Sequence, residues 1–271
     1  SPKQEILYEL YADGLAPKTN SLFKDAPRYT SNKNYFGKGL IVDLSAKDFG
    51  SGLENIHFSL GSESFKVYNS YLSMDKEGTF ELYYYSSDNV GNSEKIKNKK
   101  FVVDLTSPSS NHSIKGIVFE ENILSPSSSF VVTSTDNLSG VKTTFYLFDE
   151  LNKSTFKSNI KLSSLNDGEH IFKYWSNDNV KNSELDNAKT FSFYLDKIAP
   201  VSKLEISGDF FIGNYNYVSE RTEINLSSTD NKAGVKNIHY RINGKEKNMK
   251  LFFEYNKISI FFHSLLTSMS S

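Results

Sequence analysis

The sequence predicts an all-β fold, made of tandem β-sandwich repeats in an elongated array whose last repeat is incomplete. A five-residue motif, D-x-x-[AS]-P, recurs after 91 and then 92 residues, at 13–17, 104–108 and 196–200. A fixed period of this size indicates a repeat array. Short alternating segments rich in Phe, Tyr, Ile and Val are separated by Ser, Asn, Asp and Gly clusters roughly every 8 to 12 residues, which is typical of a β-sandwich. No capped helical pattern longer than a turn or two interrupts them.

The D-x-x-[AS]-P linker opens each repeat. Its proline fixes φ and withholds a ladder donor, so it ends the preceding strand and stiffens the junction. An alternating strand comes next and leads to a second aspartate, which is followed within four residues by glycine and an apolar residue. The second aspartates are Asp48, Asp136 and Asp230.

A third marker keeps the same spacing in two repeats. It reads YYYSSDNVGNSE at 83–94 and FKYWSNDNVKNSE at 172–184. A glycine ten residues before its aspartate, Gly78 or Gly168, predicts the turn into this strand. Three markers at one spacing support the repeat assignment.

These markers predict the domain boundaries. Repeat 1 covers 13–103, repeat 2 covers 104–195, and repeat 3 covers 196–271 and is truncated or divergent after about 244. Residues 1–12 are predicted to be the terminal strand of a missing upstream repeat. The third marker of repeat 3 would fall near 270, where the sequence reads TSMSS. Strands of ~9 residues make each repeat roughly 30 Å long, so three in line would span roughly 100 Å.

Composition excludes several function classes. The net charge is −1, from 31 basic and 32 acidic residues, so no strong field attracts nucleic acid. There is no cysteine, and hence no disulfide, thiolate nucleophile or cysteine-bound metal. The longest apolar stretch, 258–266, is far shorter than the ~20 residues of a membrane-spanning helix, so no transmembrane segment is predicted.

Together the three motifs resemble the bacterial Ig-like tandem repeats of cell-surface and outer-membrane proteins, and the spirochaete-type surface repeats in particular. The resemblance covers about residues 13–244. It implies Ig-like sandwiches on a bacterial surface, with adhesion or spacing as the function and no catalytic residues. Lys181 departs from the pattern, because it replaces the glycine that stands at Gly91.

The Asp/Asn turns are the candidate metal site. Calcium takes 6 to 8 oxygen ligands, usually with several carboxylates, whereas each loop supplies one carboxylate plus amides. The other interpretation is structural: Asp and Asn bond to their own backbone and tolerate tight turns, and an asparagine beside Lys181 takes the left-handed position. Asp48, Asp136 and Asp230 could add ligands at the junctions. The candidate calcium ligands are Asp88, Asn89, Asn92, Asp104, Asp178, Asn179, Asn182 and Asp196.

No catalytic or cofactor-binding residue is predicted. His57 and His239 hold equivalent strand positions that point away from the core, and the other histidines lack a metal-binding spacing. The acidic pairs 120–121 and 149–150 are predicted to lie on strands, where neighbours face opposite sides and cannot converge on a substrate. The aromatic runs at 83–85 and 174–175 are predicted to be core and cross-strand pairs.

The predicted function is therefore a non-enzymatic surface or extracellular spacer or adhesion protein. Its predicted partners are a host matrix protein, a cell-surface protein or a glycan, with Tyr215 and Tyr217 as contact candidates in a loop-like segment. Head-to-tail self-association by strand addition is a further expectation. Two alternatives stay open: an outer-membrane β-barrel-type protein, which the Ser/Asn/Lys-rich strands disfavour, and a carbohydrate-binding region of a secreted hydrolase.

Overall fold

A computed structural model describes residues 7–242, 245–250 and 257–261, with side chains described up to residue 240. Strands form nearly all of its regular structure, and a single 3-10 turn, Leu185–Asn187, accompanies them. The molecule consists of tandem β-sandwich repeats. The strand after each linker proline begins at the next residue, at Lys18, Ser109 and Val201.

Repeat 1 packs a three-stranded sheet, β1-β4-β7, against a six-stranded sheet, β2-β3-β9-β8-β5-β6. The pairing of β3 with β9 is parallel, with Tyr35 opposite Val102, and the other pairings are antiparallel. The strands are β1 (Lys18–Lys24), β2 (Arg28–Thr30), β3 (Asn34–Phe36), β4 (Ile41–Lys47), β5 (Leu53–Leu60), β6 (Lys66–Val67), β7 (Leu72–Ser73), β8 (Gly78–Asp88) and β9 (Lys97–Val103).

The core of repeat 1 follows from the alternation of its strands. On β4, Val42 and Leu44 are buried while Asp43 between them is only partly covered, because successive side chains point to opposite faces. Phe36 and Phe101 meet edge to face at 6.2 Å between ring centroids. The buried cluster comprises Phe36, Leu40, Val42, Leu44, Ile56, Met74, Leu82, Tyr84, Phe101 and Val103.

Repeat 2 has the same strand order. Its sheets are β10-β13-β16 and β11-β12-β18-β17-β14-β15, and β12 pairs in parallel with β18 as β3 does with β9. Phe130 stacks on Phe172 at 4.3 Å in its core. The strands are β10 (Ser109–Lys115), β11 (Val118–Phe119), β12 (Ile123–Leu124), β13 (Ser129–Thr135), β14 (Val141–Phe148), β15 (Ser154–Thr155), β16 (Ile160–Lys161), β17 (Gly168–Asp178) and β18 (Lys189–Leu195).

Within the described residues, repeat 3 has seven strands, which correspond to β1–β7 of repeat 1. They form the sheet β19-β22-β25 and the hairpins β20-β21 and β23-β24. The position near 270, where its third marker was expected, lies outside the described residues. The strands are β19 (Val201–Ser207), β20 (Phe210–Ile212), β21 (Asn216–Val218), β22 (Glu223–Thr229), β23 (Asn237–Ile242), β24 (Lys245–Lys250) and β25 (Lys257–Phe261).

The chain also divides into two compact units that do not coincide with the predicted repeats. One unit comprises residues 1–112, 132–157 and 173–190, and the other comprises 113–131, 158–172 and 191–271. The division passes through repeat 2, so the repeat boundaries at 104 and 196 stay predictions. The upstream strand predicted at 1–12 falls partly outside the described residues, and its described part, 7–12, is not assigned to a strand.

The acidic pairs lie in turns, which corrects their assignment to strands. Glu120 and Glu121 connect β11 to β12 with φ of 46° and 67°, and Asp149 and Glu150 follow β14 with φ of 52° and 59°. Two consecutive left-handed residues make the tight turn that matches the twist of a hairpin. The expectation at Lys181 is also wrong: Lys181 itself has a φ of 73°, as Gly91 has one of 92°.

This geometry predicts that Lys181→Gly raises the free energy of unfolding by about 0.5–1 kcal/mol, because a left-handed conformation costs a residue with a Cβ more than it costs glycine. The reciprocal change, Gly91→Lys, should lower it by a similar amount. Chemical denaturation of both variants checks the pair. Equal effects of the same sign would contradict the assignment of strain to Lys181.

Candidate functional site

The three sequence markers meet in space and form a cluster of carboxylates in each of the first two repeats. We call Asp13, Asp48 and Asp88 the first carboxylate cluster, and Asp104, Asp136 and Asp178 the second. In each cluster, one oxygen from every residue lies within 4.8 Å of the others. Both clusters belong to the same compact unit.

One local interaction orients two of the three carboxylates in each cluster. The Asp136 carboxylate accepts hydrogen bonds from the backbone amides of Leu138 and Gly140, two and four residues further along the chain. Asp178 does the same with Val180 and Asn182. The equivalent bonds recur at Asp48, Asp88 and Asp230. These turns orient the carboxylates before any ligand is present.

Each linker aspartate completes the cluster of the repeat that it begins. The Asp104 amide donates to the Phe36 carbonyl at 2.9 Å and so extends the sheet of repeat 1. Its carboxylate accepts from the Ser139 amide at 2.9 Å, in the turn of repeat 2. The structure therefore groups Asp104 with Asp178, and it groups Asp88 with Asp13, which was not among the predicted ligands.

The four predicted asparagines support the clusters as hydrogen-bond donors. The Asn182 side-chain amide donates to the Asp178 carboxylate at 2.6 Å and to the Asp104 carbonyl at 3.0 Å. Asn179 donates to the Ser139 carbonyl at 2.8 Å. Asn92 and Asn89 occupy the same positions in repeat 1. In this arrangement the asparagine NH₂ groups position the carboxylates and the facing turn. The asparagines do not present their side-chain oxygens to the cluster as metal ligands.

The clusters concentrate negative charge. Among the described residues, no lysine, arginine or histidine forms an ion pair with any of the six carboxylates. Burial raises the pKa of Asp178, and the nearby Asp104 charge adds to this effect. Burial acts in the same direction on Asp88, but hydrogen bonds from Asn92 outweigh it and leave the pKa of Asp88 lowered.

In the described part of repeat 3, two of the three cluster aspartates have a counterpart. Asp196 accepts from the amides of Ile198 and Ala233, as Asp104 does from Thr106 and Ser139. Asp230 holds the facing turn. The counterpart of the third aspartate would fall near position 270, outside the described residues.

The histidines lie elsewhere, in ordinary structural contacts. His57 stacks on Tyr85 at 4.7 Å across neighbouring strands, on the face away from Ile56. His112 Nδ1 lies 2.9 Å from the Tyr174 hydroxyl, and burial lowers the pKa of this histidine. Neither histidine belongs to a carboxylate cluster.

Two glutamates with largely covered side chains, Glu94 in repeat 1 and Glu184 in repeat 2, were not predicted from the sequence. The Glu184 carboxylate, 5% exposed, accepts from the backbone amides of Ser110 and Ser176 at 3.0 and 3.2 Å. It thereby ties the first strand of repeat 2 to the end of β17. Glu94 does the same for Thr19 in repeat 1 and also pairs with Lys97 at 2.7 Å.

The turn that follows Asp178 touches repeat 1. Val180 is 1% exposed, whereas the equivalent Val90 is 61% exposed. A Cβ added at Gly37 would lie 2.5 Å from the Val180 carbonyl oxygen, so only glycine fits there without displacement. The second cluster therefore orders a turn that packs against the preceding repeat.

Glu184→Ala should lower the free energy of unfolding by about 2–4 kcal/mol, because it leaves two buried amides without an acceptor. Glu169→Ala, at an exposed position on β17, is the matched control and should change the value by less than ~0.5 kcal/mol. Thermal and chemical denaturation measure both. Equal, small effects would show that the Glu184 bonds contribute little.

In the part of the chain that the structure describes, no helix is long and apolar enough to cross a membrane.

No protein-family model matches the chain, and no curated protein matches it. Among solved structures, fibronectin(III)-like modules of Clostridium thermocellum CbhA align over 65% of this chain and 94% of their own, with 10% identity and a TM-score of 0.34. A tetra-tandem repeat from the extending region of a large adhesion protein aligns over 83% of this chain and 62% of its own, with 11% identity and a TM-score of 0.25.

Proposed function

We propose that this chain is a non-enzymatic spacer of a bacterial cell surface, built from tandem Ig-like repeats. The observation that carries the proposal is the junction between repeats 1 and 2. There the linker residue Asp104 belongs to the sheet of one repeat and the cluster of the next, and Val180 packs on Gly37. A junction of this kind limits bending between neighbours, which a spacer needs.

The spacer proposal also agrees with the character of the residues that the repeats share. The recurring residues are aspartates, asparagines and glycines that build turns and joints, together with Glu94 and the buried Glu184. Many of their contacts are to backbone amides and carbonyls of the chain itself. We infer that the shared task of the repeats is to hold their neighbours, and that the spirochaete-type resemblance gives the cell-surface setting.

Gly37→Ala tests the junction. Because the new methyl group would meet the Val180 carbonyl, it should displace the turn at 178–182 and increase amide hydrogen exchange there. In small-angle X-ray scattering of the full chain, the variant should show a broader distribution of particle lengths than the wild type. Gly14→Ala, where no atom lies within 4 Å of the added Cβ, is the control. A compact wild-type particle, or an unchanged Gly37→Ala profile, would argue against a stiff spacer.

An adhesion role has one specific observation in its favour. The β20-β21 hairpin carries a group of exposed apolar and aromatic side chains, and exposed apolar patches often mark interaction sites. Phe211 and Tyr217 are 67% and 54% exposed, with their rings 6.2 Å apart. The group comprises Phe210, Phe211, Ile212, Tyr215 and Tyr217.

If this hairpin is an adhesive surface, the double variant Tyr215→Ser with Tyr217→Ser should lose most binding to the glycans or matrix proteins that an array identifies. Tyr8→Ser is the control, since Tyr8 is equally exposed at 79% but lies far away in sequence. Wild-type protein that binds nothing on glycan and matrix arrays would leave spacing as the role.

A further inference from the structure

We propose that each carboxylate cluster binds one calcium ion, with the serine before the turn glycine, Ser51 or Ser139, as an additional oxygen ligand. The inference concerns the clusters alone, and it would hold whether the chain acts as a spacer or as an adhesin. It also changes the set of ligands expected from the sequence, because it adds Asp13 and the two serines and removes the four asparagines, while Asp48 and Asp136 stay in the set.

Geometry supports a single ion in each cluster. One oxygen from each of three carboxylates lies within 4.8 Å of the other two. Calcium binds oxygens at 2.3–2.6 Å, so ligands on opposite sides of one ion stand up to about 5 Å apart. The three oxygens therefore fit around one calcium ion without rearrangement of the backbone turns that hold them.

Burial makes the charge of the second cluster costly without a cation. Asp104 and Asp178 are 1% and 0% exposed, and Asp136 lies beside them. Like charges this close, removed from water, are unfavourable unless a counter-charge or a proton compensates them. Within the described residues, no basic side chain pairs with the three carboxylates.

A second observation, independent of the carboxylates, points to a ligand. Among the described residues, three buried side-chain oxygens have no hydrogen-bond partner: Ser51 Oγ, Ser139 Oγ and Asp230 Oδ1. All three lie in the turn that faces the linker aspartate of their repeat: the two serines hold equivalent positions, and Asp230 begins the corresponding turn of repeat 3. Buried polar atoms are almost always satisfied, so an orphan repeated in three equivalent turns indicates a missing partner.

The serine hydroxyls are placed to be that fourth ligand. Ser139 is 5% exposed, and its amide donates to Asp104 at 2.9 Å, so its side chain lies at the cluster. The Ser51 amide likewise donates to the Asp13 carboxylate, so Ser51 lies beside the first cluster, and its buried hydroxyl has no partner in hydrogen-bond geometry. Repeat 3 has Ala233 at this position.

The donor set selects the class of cation. Every candidate ligand is an oxygen, with no histidine or cysteine in either cluster, so zinc and the softer transition metals are disfavoured. Magnesium demands a near-ideal octahedron at 2.0–2.1 Å, whereas calcium accepts irregular sets of 6 to 8 oxygens, including waters. Three carboxylates and a hydroxyl held by separate loops match the more tolerant ion.

The full chain, stripped with EDTA and dialysed, is titrated with CaCl₂ by calorimetry and unfolded thermally with and without calcium. We expect at least two bound ions in the wild type and a rise of several degrees in the unfolding midpoint. Asp48→Asn and Asp136→Asn should each lose one ion. Asparagine keeps an acceptor for the two backbone amides of each turn, so the fold is retained.

The order of the unfolding midpoints separates metal binding from a structural role. Without calcium, Asp136→Asn should match or exceed the wild type, because one repelling charge is gone. With calcium it should fall below the wild type. Asp75→Asn, at an exposed site outside the clusters, should follow the wild type in both conditions. Ser139→Ala should weaken calcium binding severalfold at the second cluster only.

The proposal is overturned if the wild type shows neither heat nor a midpoint shift at about 10 mM calcium, ten times the weakest affinities typical of extracellular modules. It is also overturned if Asp136→Asn is destabilised equally with and without calcium, which would mean that the clusters are structural turns or hold a proton. Magnesium binding as tight as calcium binding would overturn the choice of ion.

Discussion

The rest of this structure depends on one interaction: an aspartate carboxylate accepts hydrogen bonds from the backbone amides two and four residues further along the chain. It closes the turn after Asp48, Asp136 and Asp230 and the turn after Asp88 and Asp178. Because each turn points a carboxylate at the same place, local backbone pairing creates the clusters, the asparagine supports and the joint at Val180. Without it, the sandwiches would keep their cores but lose the geometry that connects them.

Much of the fold follows from the sequence because its signals are short in range. The linker proline places the start of β1, β10 and β19, and alternation places Val42 and Leu44 in the core. The acidic pairs were misplaced because a tight hairpin usually carries Asn-Gly, and Glu120-Glu121 lacks that signal. Lys181 was misread for a related reason, since contacts on both sides of a turn can force a residue into a conformation that it disfavours.

Only part of the candidate site could be predicted from the sequence. Asp88, Asp104 and Asp178 were found because they recur, but which of them share a cluster depends on how the sandwich folds back on itself. Asp13 could not be assigned to a cluster from the sequence, because it lies 75 residues before Asp88 and only the fold brings the two together. Glu94 and Glu184 recur ninety residues apart, which is a usable signal, but a glutamate is rarely buried, so the placement of these side chains needs the three-dimensional structure.

The double use of Asp104 has a mechanical consequence. A pulling force that travels along the chain from repeat 1 to repeat 2 must pass through this residue. There it meets the ladder bond to Phe36, the turn at Ser139 and the Asn182 amide at the same time. Bonds loaded together resist extension better than bonds that break one after another, so the linker should be no weaker under tension than the sandwiches on either side of it.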